Sequence, residues 1–140
     1  MEKNSLLEKL NNAPPGITEK LDDLKSKRMG GVTTNYIPSV AEVARLIKSI
    51  PKGQIRTIQE LRGELAKMHH TDTACPAKII KYWKWMANLS DELKGAYSQY
   101  NIPWWRVLKD GKLSRHMPGD IANQEKLLRS EGISLTKRQN

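Results

Sequence analysis

The sequence predicts a mostly α-helical fold of winged helix-turn-helix type: three helices, a basic β-hairpin wing and a C-terminal helix, preceded by an N-terminal arm. Three observations lead there. Two helical stretches in residues 39–68 each open on a capping box, Ser39 with Glu42 and Thr57 with Glu60, in which each side chain satisfies a free backbone N–H of the first turn. A third amphipathic stretch follows, with lysines gathered on one side. Then Asp110-Gly111, flanked by Lys109 and Lys112, signals a tight hairpin ahead of a last helical run. Such a fold lays one helix across the DNA backbone, a second in a groove and the wing on flanking phosphates. The organisation expected is an arm over 1–38, a winged-helix domain over 39–136 and a basic tail over 137–140.

Each element has its own reason. In the arm, Ser5 to Leu10 has the makings of a short helix, stopped by Asn11-Asn12-Ala13-Pro14-Pro15-Gly16. Thr18 to Lys27 has weak helical character, Met29-Gly30-Gly31 breaks the chain, and Val32 to Ile37 reads as extended. Val40, Val43, Ala44 and Ile47 recur at i, i+3, i+4 and i+7 and make one apolar face, ended by Pro51-Lys52-Gly53. Gln54 to Arg56 is a short extended link. Ile58, Leu61, Leu65 and Met68 form the stripe of the second helix, and His69 to Thr73 is a polar connection. The third helix spans about Ala74 to Leu89, with Pro76 tolerated in its first turn. At 100° per residue, Ile79, Ile80, Trp83, Met86 and Ala87 fall on one side; Lys78, Lys81 and Lys84, with Trp85, fall on the other. An ordinary amphipathic helix with solvated lysines is the competing reading. Ser90 to Asn101 is a polar loop. The last helix covers about Asp120 to Ser130, with Ile121, Leu127 and Leu128 inward and Gly132 as its stop; Ile133 to Leu135 is extended.

Charge narrows the partner. The 140 residues hold 24 Lys and Arg against 15 Asp and Glu, a net +9. Residues 1–38 carry six cations and five anions, so the surplus lies in residues 39–140, with eighteen against ten. A surplus of this kind favours a polyanion, above all nucleic acid, over a surface that merely aids solubility. Cys75 is the only cysteine, which excludes an internal disulfide and a thiolate cluster. His69, His70 and His116 lack zinc-ligand spacing, so neither metal nor cofactor is expected. No run approaches the roughly 20 apolar residues that span a bilayer. Met1 to Lys9 has no secretory apolar core. A cytoplasmic, nucleoid-associated monomer is expected.

Three segments, in order over residues 40–135, resemble the DNA-binding domain of the 6-O-alkylguanine-DNA alkyltransferases. Ile50-Pro51-Lys52-Gly53-Gln54-Ile55-Arg56-Thr57 is similar to that family's I-P-x-G-x-V-x-T/S. Ile102-Pro103-Trp104-Trp105-Arg106-Val107 is similar to I-P-C-H-R-V. Asp110-Gly111-Lys112-Leu113-Ser114, followed by Gln124-Glu125-Lys126-Leu127-Leu128-Arg129-Ser130-Glu131-Gly132-Ile133, is similar to the family's D-G-x-L and Q-x-x-L-L-x-x-E-G endings. Trp104 stands where the family keeps its nucleophilic cysteine and Trp105 where it keeps the activating histidine. Alkyl transfer to sulfur needs a thiolate and a neighbouring base, and indole is neither. Tryptophan in that place marks the alkyltransferase-like proteins, which bind alkylated guanine without repairing it and present it to nucleotide excision repair.

The resemblance therefore implies a non-catalytic protein whose partners are double-stranded DNA, alkylated or not, and nucleotide excision repair proteins. It implies DNA contacts by Lys52, Thr57, Lys78, Lys81, Arg106, Lys109, Lys112 and Ser114, and a lesion pocket walled by Ile58, Trp104 and Trp105; the competing readings are that Arg106 holds its own loop through backbone carbonyls and that the Trp pair, Trp105 above all, packs as core. Glu125 is matched to the family's relay acid. Three departures leave nucleotide flipping open. Lys78 replaces the arginine finger, Ile58 replaces a tyrosine, and Lys81-Tyr82 replace a Gly pair. Two other functions stay in play: a winged-helix DNA-binding or regulatory protein without lesion preference, and an active transferase using Cys75, against which stands a purely structural thiol.

Overall fold

The computed structural model describes residues 15–92, 102–114 and 117–134, with backbone only for residues 90–92. The chain runs β1 (Ile17–Lys20), α1 (Asp23–Arg28), β2 (Thr34–Ile37), α2 (Val40–Lys48), β3 (Arg56–Thr57), α3 (Ile58–Met68), β4 (Thr73–Ala74), α4 (Pro76–Glu92), a 3₁₀ turn (Trp104–Arg106), β5 (Val107–Leu108) and α5 (Asp120–Ser130).

Both capping boxes form. The Ser39 hydroxyl accepts from the Glu42 amide at 3.2 Å, and the Ser39 amide donates back to the Glu42 carboxylate at 3.3 Å. Thr57 and Glu60 do the same at 3.1 and 3.2 Å. Each such cap contributes about 1 kcal/mol by satisfying amides that the helix itself cannot. Helices α2, α3 and α4 then bury their stripes together. Ile47, Leu65, Ile79, Trp83 and Ala87 are fully enclosed, and Val43, Leu61 and Met86 nearly so. Burial of each Val or Leu in that set is worth about 1.5–3 kcal/mol. The C-terminal helix is fastened differently, by the fully buried side chain of Gln124. Its amide nitrogen donates to the carbonyls of Val107 and Trp105, and its oxygen accepts from the Ser114 amide.

The winged helix-turn-helix is not what forms, and the fold is not mostly α. Among the described residues the helices are interleaved with five short strands in two small sheets. In the first, β2 lies between β1, antiparallel, and β4, parallel, with Ile17 opposite Ile37 and Tyr36 opposite Ala74. The second joins β3 and β5 in parallel, Arg56 opposite Val107 and Thr57 opposite Leu108. The expected wing shrinks to a turn closed by one bridge, Lys109 to Lys112. The physical reason is that strands of two residues carry no readable alternation, and parallel pairing joins segments far apart in sequence. Weak helical character over Thr18 to Lys27 gives way to a strand followed by a six-residue helix. Nor is the segment before Ser39 peripheral throughout, since Tyr36 is 4% exposed and packs among α2, α3 and α4 residues. Ile121, expected inward, is 42% exposed. The expected features at Ser5–Leu10, within 93–101 and from Leu135 onward lie outside the described residues.

Candidate nucleic-acid interface

Parallel pairing of β3 with β5 fixes the geometry of the basic face. Because the strands run the same way, the start of α3 and the Lys109–Lys112 turn emerge at one end of the two-stranded sheet. Asp110 and Gly111 have φ of 55° and 71°, the left-handed conformation at both central positions that a two-residue hairpin turn demands. Lys109 and Lys112 are exposed on either side of it. Thr57 lies at the same end, half-buried, its hydroxyl already committed to the Glu60 amide as the helix cap. Lys52 is exposed but belongs to the opposite end of the sheet, in the turn whose Gly53 amide approaches Glu131.

On α4, Lys81 is exposed and Lys78 half-buried. The opposite side of that helix is anchored on the 3₁₀ turn, where the Trp83 ring N–H donates to the Trp104 carbonyl at 2.9 Å. Lys52, Lys78, Lys81, Lys109 and Lys112 find no carboxylate partner among the described residues. A cation left without an internal partner keeps its full charge for a polyanion at no loss of intramolecular pairing.

Two residues matched to DNA contacts have internal roles instead. Arg106 donates to both oxygens of Glu131, at 2.6 Å from Nη2, and to the Ile50 carbonyl at 2.7 Å from Nη1. Its side chain is 14% exposed and that of Glu131 7%. The guanidinium also lies 5.7 Å from the centre of the Trp105 ring. Arg106 thus ties the 3₁₀ turn to the loop after α2 and to the end of α5. Ser114 is 7% exposed and gives its amide to Gln124.

The matched lesion pocket is mostly core. Ile58 is 4% exposed and Trp104 3%, both within the main apolar cluster. Trp105 is half-buried, edge-on to Trp104 at 5.9 Å between ring centres. Its ring N–H donates to Glu131 at 3.1 Å. So the carboxylate that meets position 105 is Glu131, while Glu125 pairs with Arg129 one turn along α5. Glu131 was missed because its place in the sequence, just before the terminal Gly132, reads as a helix end. Burial works to raise its carboxyl, but the bonds from Arg106 and Trp105 outweigh that and hold it below the ordinary value. A cavity among the described residues lies elsewhere, between α2 and α3, lined by Glu42, Arg45, Leu46, Ser49, Leu65 and Met68.

A second cluster of titratable groups was not foreseen. Tyr36 donates to Glu42 at 2.5 Å, His69 Nε2 lies 2.6 Å from the other Glu42 oxygen, and the Tyr36 and His69 rings stack 3.6 Å apart. Burial and the Glu42 carboxylate raise the Tyr36 hydroxyl well above its usual value. Burial works to raise Glu42 too, but its bonds from Tyr36 and His69 prevail and lower it. This cluster joins β2, α2 and the end of α3. Cys75 is half-buried at the approach to α4, its amide donating to the Tyr36 carbonyl. No group of three or more His, Cys, Asp or Glu among the described residues is arranged to hold a metal ion. No described helix is long and apolar enough to cross a membrane. Comparison with protein-family models, with curated proteins and with solved structures finds no match. The likeness to the alkyltransferases therefore rests on the sequence motifs alone.

Proposed function

We propose that this chain is a non-catalytic protein that binds double-stranded DNA, recognises alkylated guanine in it and assists its repair. The observation that carries the DNA part is the set of lysines with no carboxylate partner among the described residues: Lys81, exposed, and Lys78, half-buried, on α4, and the exposed Lys109 and Lys112 of the turn. They would hold phosphates and so position the protein without reading sequence. The absence of catalysis follows from the two indoles at positions 104 and 105. Neither offers a thiolate or a titratable base, and the ring N–H of Trp105 is already given to Glu131. Recognition of alkylated guanine, and hand-over to nucleotide excision repair proteins, rest on the resemblance in the motifs around Trp104. The reading carries with it a cytoplasmic, nucleoid-associated location and action as a monomer.

One observation favours a second reading, DNA binding without lesion preference. With Ile58 and Trp104 in the core, only the half-buried Trp105 has surface to stack on a base, and stacking of that kind is worth about 1–3 kcal/mol. Flipping a base costs a few kcal/mol, so one indole barely offsets it.

Fluorescence anisotropy on matched duplexes, with and without 6-O-methylguanine, separates the two. Tighter binding to the damaged duplex supports the first reading; equal affinity removes it in favour of the second. About five lysines on phosphates contribute about −4 to −5 to the slope of log K against log salt on either duplex. A flat salt titration would overturn DNA binding altogether.

A further inference from the structure

Helix α1 has no buried residue. A helix of six residues is far too short to persist by propensity, yet this one is held at both ends. At its start the Asp22 carboxylate accepts from the Lys25 amide at 2.8 Å. At its end Gly30, with φ of 79°, turns the chain back so that the Gly31 amide reaches the Ser26 carbonyl at 2.7 Å. Its root is fixed as well. One oxygen of Asp72 accepts from the Thr33 amide at 2.9 Å, from the Thr33 hydroxyl at 2.9 Å and from the Thr34 amide at 3.2 Å. The Asp72 amide returns a bond to the Thr34 hydroxyl at 2.8 Å. The result is a spur with a defined base and no core beneath it.

The spur is armed with cations. Leu24, Lys27 and Arg28 stand at i, i+3 and i+4 and so share one face. Leu24 is 63% exposed there. Lys25 is engaged by Glu19 at 3.6 Å. Lys20, Lys27 and Arg28 are exposed and have no carboxylate partner among the described residues. Asp72 belongs to the loop between α3 and α4, so the root of the spur is bonded to the loop that leads into Lys78 and Lys81.

We propose that this spur is a second nucleic-acid contact, gripping the phosphodiester backbone of the duplex beside the stretch met by α4. Charge complementarity selects the occupant: three free cations suit phosphates, and an exposed Leu among them suits the apolar edge of a deoxyribose. The inference rests on the duplex-DNA reading above.

The test is a salt titration of the full chain on an undamaged duplex, comparing wild type with the triple variant Lys20→Ala, Lys27→Ala, Arg28→Ala and with Lys78→Ala, Lys81→Ala. The expected result is that the triple variant loses about 2 to 3 from the magnitude of the log K against log salt slope, at about 0.9 per phosphate released. Its circular dichroism and unfolding midpoint stay as in wild type, since the three side chains touch no core. A wild type that binds with a steep slope, and a triple variant that binds with the same slope, overturns the spur contact while leaving the α4 reading standing. That outcome would turn attention to an acidic protein surface as the spur's occupant. A wild type that binds no duplex at all sinks the parent reading and this one with it. A slope lost only in the Lys78→Ala, Lys81→Ala protein confines the contact to α4, and so also overturns the spur.

Discussion

Single side chains separate what holds the protein from what would hold DNA. Arg106 and Lys109 are three residues apart, both basic, both in a segment matched to DNA contacts. Arg106 is engaged with Glu131 and the Ile50 carbonyl, and Glu131 is almost wholly enclosed. Removing one partner of such a pair strands the other, so Arg106→Ala is expected to cost about 3–5 kcal/mol in urea unfolding. Lys109→Ala, on the surface, is expected to stay within about 0.5 kcal/mol of wild type. Glu131 also sets a pH response. Its carboxyl is lowered in the folded state, burial being outweighed by Arg106 and Trp105. Its stabilising share is therefore complete above the unfolded carboxylate value near about 4.3 and is lost as pH falls through the folded value. The urea midpoint of wild type should drop below about pH 4, and Glu131→Gln should start lower and show a shallower acid limb; equal acid limbs would refute the assignment. At position 104 the chemistry is equally plain. Trp104→Cys should take no methyl from a 6-O-methylguanine duplex, because an indole at position 105 supplies no base. Intact mass spectrometry decides, and a gain of one methyl would refute it.

At the level of elements, the helices from Val40 onward were legible, and so was β2 within the extended stretch Val32 to Ile37, but the two-residue strands were not. The Ser39 and Thr57 caps, the stripe of α2, that of α3 short of Met68, which is 60% exposed, and the inner face of α4 all follow from spacing that a helix imposes on adjacent turns. Strands β3, β4 and β5 are two residues each, and what makes them strands is a partner far away in sequence. Local pattern has no access to that partner. The same gap explains the wing, since Asp110-Gly111 does make the expected turn while the flanking chain prefers β3 to its own return. It explains Trp104 also, because whether an indole after a proline is wall or core depends on where α4 crosses it. The lysines were readable as a face from the α4 wheel, whereas the partner of Arg106 was not. The turn offers its own check. Gly111→Ala places a Cβ at φ of 71°, at a cost of about 1 kcal/mol, and should disturb Lys109 and Lys112 together. Lys109→Ala with Lys112→Ala should leave stability unchanged and take about 2 from the salt slope. Unchanged slopes in that protein would remove the turn from the interface.

Over the whole molecule, Lys52, Lys78, Lys81, Lys109 and Lys112 pair with no carboxylate among the described residues, while Arg106 and Arg62 commit their guanidinium groups inside the fold, to the Ile50 and Ala74 carbonyls. On the DNA-binding reading, affinity for a polyanion and stability would be set by separate residues, so that Lys109→Ala would alter the first and Arg106→Ala the second. The parallel pairing of β3 with β5 has one more consequence, for the order of assembly. Val107, fully enclosed, cannot reach Arg56 until the fifty intervening residues, with α3 and α4 among them, have been brought together. Closing so long a loop is slow relative to winding helices, so this pair should complete the chain's folding rather than nucleate it. Val107→Ala is then expected to quicken unfolding in stopped-flow experiments and to leave the folding limb of the chevron nearly where it was.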